Sequence, residues 1–288
     1  MLNLTLEDYK KYRQEIVKGF IKASKILVEN HIFNSRDLPY STQLVPMAAI
    51  LTKLGDKIDN IGNKHKLMHW FWCGVFGELY GAANETRYSL DLQQVVEWIE
   101  NNGPEPKTIY GANFSPSRLN TLRTRNSAAY KGVYALLMDE NTKDWLSASK
   151  IDFSTYFSES IDIHHIFPVA WCEKNAIHRN DYDCIINKTP LSGRTNRIVS
   201  GDAPSKYLIR LKNHAGVPDT EFDTILKSHV VNPELMYKDD FPAFFADRKE
   251  QMLNRIEQAM GKTIVREQQI PEEGRYVDNT VDEGDLEN

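Results

Sequence analysis

The stretch IDIHHIFPVAW, Ile161 to Trp171, sets two adjacent histidines in an apolar, strand-like run with a proline three residues beyond them. A buried strand has little use for one imidazole, and successive strand residues point to opposite faces. His164 and His165 therefore serve one centre only if the strand ends or bulges beside them, and Pro168 supplies such an ending. A single histidine on a strand is ordinarily structural. A pair at a strand end allows one imidazole to hold a metal ion while its neighbour takes a proton, the division of labour that metal-assisted hydrolysis needs.

The residues downstream extend the pattern. Cys184-Ile185-Ile186 reads as a short β-branched strand and Asn187-Lys188-Thr189-Pro190 as a turn-like element. Thr195-Asn196-Arg197 leads toward a helix that Asp202-Ala203-Pro204 caps and begins. Asn187 lies 22 positions after His165, and Asn196 lies 9 after Asn187.

Upstream the chain reads as helical. Apolar residues recur at helical spacing from Leu6 to Val28, with Thr5 as the start and Glu7 and Asp8 in the first turn. Further helices are expected over Thr42–Leu54, Leu67–Tyr80 and Asp91–Glu100, of which Leu67–Tyr80 is apolar nearly all round and hence buried. Trp70, Trp72 and Phe76 read as core aromatics. Beyond the histidines, Ser205–Asn213 and Phe241–Met260 are again helical in pattern. The run from Ser117 to Tyr134 carries Arg118, Arg123, Arg125 and Lys131 with no acidic residue among them. It is either a solvated helix face or a set of phosphate-backbone contacts, which need charge and no base-specific geometry.

Composition narrows the classes. The 288 residues are 41% hydrophobic and 26% charged, enough apolar chain for a sizeable core. The longest apolar stretch is too short to cross a bilayer, no signal-peptide pattern opens the chain, and three unpatterned cysteines imply reduced thiols. Together these point to a cytoplasmic protein without a membrane partner. The residues after Gly261 hold three basic and eight acidic side chains, the whole net charge of −5, and leave the body neutral. A neutral body can still present a basic face, so net charge does not exclude a nucleic-acid partner. No glycine-rich phosphate loop or dinucleotide fingerprint occurs.

The ordered set His164-His165, Asn187 and Asn196 resembles the HNH, or ββα-metal, nuclease motif. The form HHIFP…NKTPLS…TNR…APSKYL is similar to the variant in the C-terminal half of GmrSD-type modification-dependent restriction endonucleases and related phage-defence proteins. DLPYSTQLVPMAAIL, HWFWCGVFGELYG, LRTRNSAAYKGVYALL and FFADRKEQMLNRIEQAMGK widen the likeness to most of Thr5 to Lys262. The resemblance implies a mainly α-helical α+β fold with an embedded ββα-metal unit. Its expected organisation is a helical domain over 1–150 with the basic segment 117–134, a nuclease unit with C-terminal helices over 151–262, and an acidic disordered tail over 263–288.

The implied activity is metal-dependent hydrolysis of DNA phosphodiesters. His165 would be the general base, His164 and Asn196 the protein ligands of one divalent cation, and Asn187 the residue that orients the loop. Arg197 would hold a phosphate oxygen, and Arg118, Arg123, Arg125, Lys131, Lys188 and Arg194 would contact the backbone of double-stranded DNA. The first ligand, acidic in many relatives, is His164 here, and the last is Asn196. The expected cation is Mg²⁺ or Mn²⁺, with Ni²⁺ or Zn²⁺ as alternatives, since an uncharged shell holds Mg²⁺ weakly and imidazole accepts Mn²⁺, Ni²⁺ or Zn²⁺ at least as well. Cys172 and Cys184 form no CxxC pair and read as small buried residues, so no structural zinc is expected. A nucleotide-hydrolysing domain, on the same full-length protein or a separate chain, is the implied protein partner. The alternatives are a catalytically inactive or partner-dependent nucleic-acid-binding module and an RNA-directed nuclease.

Overall fold

The structure, a computed structural model, describes residues 4–82, 85–139 and 141–266. Most of the expected acidic tail, from 267 onward, lies outside the described residues. The described chain is mostly helical, with one two-stranded sheet, an α+β composition.

Helix α1 spans Leu6–Glu29 and opens with a capping box: the Asp8 N–H donates to the Thr5 hydroxyl (3.1 Å) while the Thr5 N–H donates to the Asp8 carboxylate (3.3 Å). Helix α2 is Leu44–Leu54, with Pro46 in its first turn, where a missing N–H costs nothing. Helix α3 is Ile61–Phe76, started by the Asn60 side chain, and α4 is Glu85–Asn101. Three shorter helices follow: α5 (Lys107–Gly111), α6 (Arg118–Thr121) and α7 (Ala128–Leu137). After α8 (Phe153–Ser158) comes strand β1 (Asp162–His165), then α9 (Val169–Lys174) and α10 (Arg179–Tyr182). Strand β2 (Lys188–Leu191) leads directly into α11 (Gly193–Val199). The chain closes with α12 (Pro204–Ala215), α13 (Asp219–Ser228), α14 (Pro233–Tyr237) and α15 (Phe241–Met260).

The Ser117–Tyr134 run holds α6 and the start of α7, separated by a loop, because Ser127 caps a new start by accepting from the Tyr130 N–H. One expected strand is absent. Cys184-Ile185-Ile186 is not a strand. Ile185–Asn187 forms a 3₁₀ turn and pairing begins only at Lys188. The two isoleucines are fully buried, which their β-branched side chains satisfy without any ladder.

The largest core gathers Trp70, Phe71, Trp72 and Phe76 of α3 with side chains of α1, α2 and α7. It also takes Ile185 and Ile186, and Met252, Leu253 and Ile256 of α15, so it draws on both sides of residue 150. A second core packs Ile166, Phe167 and Leu191 against Trp145, Tyr207, Leu211, Phe222 and Phe244. The β1–β2 pair sits between the two and is anchored on both. At the end of α15, Gly261 has φ +61, and a Cβ there would lie 2.9 Å from the His69 ring, so the site demands glycine twice over.

Candidate functional site

Strand β1 ends at His165. It pairs antiparallel with β2 so that His164 faces Thr189 and His165 faces Lys188. One further bond, from the Ile166 N–H to the Asn187 carbonyl (2.8 Å), closes the ladder, and the chain then turns away. The side chain of Asn187 holds the turn. Its Oδ1 accepts from the Phe167 N–H (2.8 Å), and its Nδ2 donates to the carbonyls of Phe167 (2.9 Å) and Tyr182 (3.0 Å). Asn187 is wholly buried, so these bonds form where water cannot replace them. The Tyr207 hydroxyl of α12 donates to the Ile166 carbonyl (2.7 Å) and fixes the same turn from the opposite side.

His165 is half-buried. Its Nε2 lies 3.4 Å from Asp183 Oδ1 without forming a hydrogen bond. Asp183 is itself held by the Lys188 ammonium at 2.9 Å. Burial depresses the His165 pKa, Lys188 depresses it further, and Asp183 opposes both. The ring is thus kept neutral with Nε2 turned inward, which leaves Nδ1 as the nitrogen open to a proton. Sequence reasoning missed Asp183, one of two acids in Asn180–Asp183 with nothing to single it out.

His164, on the other face of the strand, also has a buried Nε2 with no hydrogen-bond partner among the described residues. Burial lowers its pKa, and Asp162 opposes that shift. Across the ladder from it, the Thr189 hydroxyl meets His229 Nδ1 at 2.8 Å, and His229 Nε2 meets the Lys143 carbonyl at 2.7 Å. A carbonyl only accepts, so Nε2 carries the proton and Nδ1 accepts from Thr189. Thr189 and His229 are both fully buried. Arg248 of α15, equally buried, donates to the carbonyls of Ile186, Lys188 (2.9 Å) and His229 (3.1 Å). With no acidic partner among the described residues its pKa is pushed down to about 9, chiefly by burial. It ties the start of β2 to the turn after α13.

Helix α11 follows β2 and is started by two residues. The Ser192 hydroxyl accepts from the Thr195 N–H (3.1 Å), and Asp144 accepts from the Ser192 N–H (2.8 Å) and the Thr195 hydroxyl (2.7 Å). Burial would raise the Asp144 pKa, but these bonds outweigh it and hold the carboxylate ionised. Asn196 is half-buried and makes no side-chain hydrogen bond among the described residues. Arg194 and Arg197 are exposed and, three residues apart, share one helix face about 60° wide. They line a cleft of about 430 Å³ that neither His164 nor His165 reaches. Arg197 therefore groups with Arg194 and not with the histidines.

The expected basic surface is largely paired off. Arg118 makes a two-point contact with Glu78 (3.0 and 2.9 Å), and Arg125 binds Asp162 while stacking on Tyr134. Lys131 donates to the Leu38 carbonyl (3.1 Å). Lys188 is only 7% exposed, its ammonium bonded to the carbonyls of Arg123 and Asp183 (3.0 Å each) as well as the Asp183 carboxylate. That corrects its expected place among the phosphate contacts, because burial and three partners leave nothing to offer a ligand. Arg123 remains exposed, with one bond to Asn180 (2.7 Å).

Among the described residues, no group of three or more His, Cys, Asp or Glu is arranged to hold a metal ion. A cation here would rely on the unpartnered Nε2 of His164 and the amide of Asn196, with its remaining positions left to substrate and water. Cys73, Cys172 and Cys184 are all buried free thiols, and no described helix is long and apolar enough to cross a membrane.

No protein-family model matches the chain. An uncharacterized protein of Methanocaldococcus jannaschii is 27% identical to it over 240 residues, 79% of this chain and 40% of the archaeal protein. The chain thus spans less than half the length of the relative it matches.

Proposed function

We propose that this protein is a metal-dependent endonuclease of the HNH type, acting on DNA as part of a phage-defence system. The observation that carries the reading is the order of His164 and His165 on β1, Asn187 in the 3₁₀ turn just before β2, and Asn196 on α11, with paired strands followed directly by a helix. His165 acts as general base through Nδ1 and takes the proton of a water aligned with the phosphodiester. Asp183, 3.4 Å from the opposite ring nitrogen, stabilises the imidazolium that results. Asn187 fixes the turn on which His165 stands. His164 and Asn196 would hold the cation, which would supply neutralising charge at the scissile phosphate and its departing oxygen.

A second reading, a partner-dependent or catalytically inactive nucleic-acid-binding module, is favoured by the lack of any carboxylate in the proposed ligand pair. Plasmid cleavage separates the two. The purified chain and its His165→Ala variant are incubated with supercoiled DNA in Mg²⁺, Mn²⁺, Ni²⁺ or EDTA. The nuclease reading expects metal-dependent relaxation or linearisation that is lost in His165→Ala. Cleavage that survives His165→Ala removes His165 from catalysis, and wild-type silence in every metal with DNA binding intact selects the second reading.

A further inference from the structure

Helix α1 carries one apolar stripe along its length. Leu6, Tyr9, Ile16, Phe20, Ala23 and Leu27 follow the alternating three- and four-residue spacing of a helix seam, with Arg13 at the remaining position. Ala23 and Leu27, at the C-terminal end, are buried in the larger core. The N-terminal end has no cover among the described residues. No residue of the helix before Gly19 is buried, and Leu6, Tyr9 and Phe20 are 67%, 51% and 40% exposed. A contiguous apolar face of this kind marks a contact surface. Two cations belong to it, Arg13 within the stripe and Lys10 about 40° beyond its edge. Among the described residues the ion pairs of α1 use only Lys22 and Glu29, so Lys10 and Arg13 have no acidic partner there. The acids Glu7, Asp8 and Glu15 lie about 120–140° round from the centre of the stripe.

A second copy laid along the stripe would bring Lys10 and Arg13 of both chains into one interface with no acid on that face, so charge disfavours self-pairing. The face fits a segment whose apolar residues are set among acids, and this chain holds one. Residues 267–288 carry eight acidic side chains and one basic, with Ile270, Val277, Val281 and Leu286 among them. We propose that this segment docks on the N-terminal half of α1 in its own chain. Arg266, which precedes it, is tied to Glu250, Asn254 and Glu257 of α15. From there a segment of this length extends up to about 75 Å. A folded body of this many residues has a radius of gyration of about 18 Å, so α1 is within reach. The contact is independent of the nuclease reading. Its selectivity is electrostatic, so salt weakens it.

Hydrogen exchange of the full chain, read by mass spectrometry on peptides covering α1, tests the docking. An effective concentration of about 1 mM against an affinity of about 0.1 mM slows exchange of the α1 amides about tenfold. That slowing is expected to vanish in about 1 M salt. It is expected to vanish as well in Lys10→Glu/Arg13→Glu and in Glu272→Gln/Glu273→Gln/Asp282→Asn/Glu283→Gln. The second of these variants leaves α1 itself unaltered, so its effect cannot come from a change in the helix. Lys18→Glu/Lys25→Glu, about 140–160° round from the stripe, should keep the slowing, and so should dilution by about tenfold. Equal exchange in the wild type and the tail variant overturns the proposal, as does equal loss in the Lys18→Glu/Lys25→Glu control. Slowing that fades on dilution assigns the face to a second copy and also overturns it.

Discussion

Lowering the pH below neutrality should weaken the fold through His229. Its ring is fully buried between the Thr189 hydroxyl and the Lys143 carbonyl and is held neutral, its pKa pushed down to about 4. Burial is the main cause. The proton on Nε2 in its bond to Lys143 works against it, and the guanidinium groups of Arg248 and Arg255 reinforce it. In the unfolded chain the same ring titrates near 6.5, so between the two values the unfolded state binds the extra proton and stability falls as pH falls. The contribution is complete above about 6.5 and lost by about 4. Each pH unit in that window costs about 1.4 kcal/mol, hence about 2 kcal/mol between pH 7 and pH 5. Other groups titrate in the same range, so the useful quantity is a difference. Urea unfolding is followed for the wild type and His229→Gln at pH 7, 6 and 5. The glutamine amide can still donate to Lys143 but cannot titrate. The wild type should lead at pH 7 and lose about 2 kcal/mol of that lead by pH 5. A lead that stays constant across the series would refute the assignment of His229 as the buried neutral member of this network.

Asn187→Ala should lower stability by about 3 kcal/mol, since it strands the Phe167 N–H and two carbonyls in a dry interior, and should abolish cleavage even where the protein remains folded; urea unfolding and the plasmid assay read the two effects. The three thiols should resist a disulfide-exchange reagent in the native state and react together on denaturation, because all are buried and burial pushes Cys73 and Cys172 up to about 12. Rapid labelling of a single cysteine in the folded protein would show that its surroundings open.

Much of the helical frame was legible in the sequence. The expectation Phe241–Met260 matches α15 residue for residue, and the Thr5 start of α1 is the observed capping box. Local signals of this kind lie within one turn of each other and survive being read alone. The strand expected at Cys184–Ile186 was misplaced because β-branched residues mark burial as much as pairing, and here the burial comes from packing against α6, α10 and α15. The basic run was harder still. It contains no acid, yet Arg118 and Arg125 find Glu78 and Asp162, 40 and 37 residues away, and only the fold brings those together. Arg248 and His229 carried no readable motif. Their roles come from which carbonyls happen to face them, and backbone groups leave no trace in a sequence.

The bonds between Asn187 and Phe167 join two ends of a 20-residue excursion. Whatever happens inside that excursion, the distance between the end of β1 and the start of β2 is set at its neck. Loop-closure entropy grows slowly, about 0.6 kcal/mol for each doubling of length. The connection between α9 and α10, residues 175–178, is therefore a place where a chain of this kind can lengthen, shorten or acquire a new surface at small expense, while the histidines at its base keep their positions.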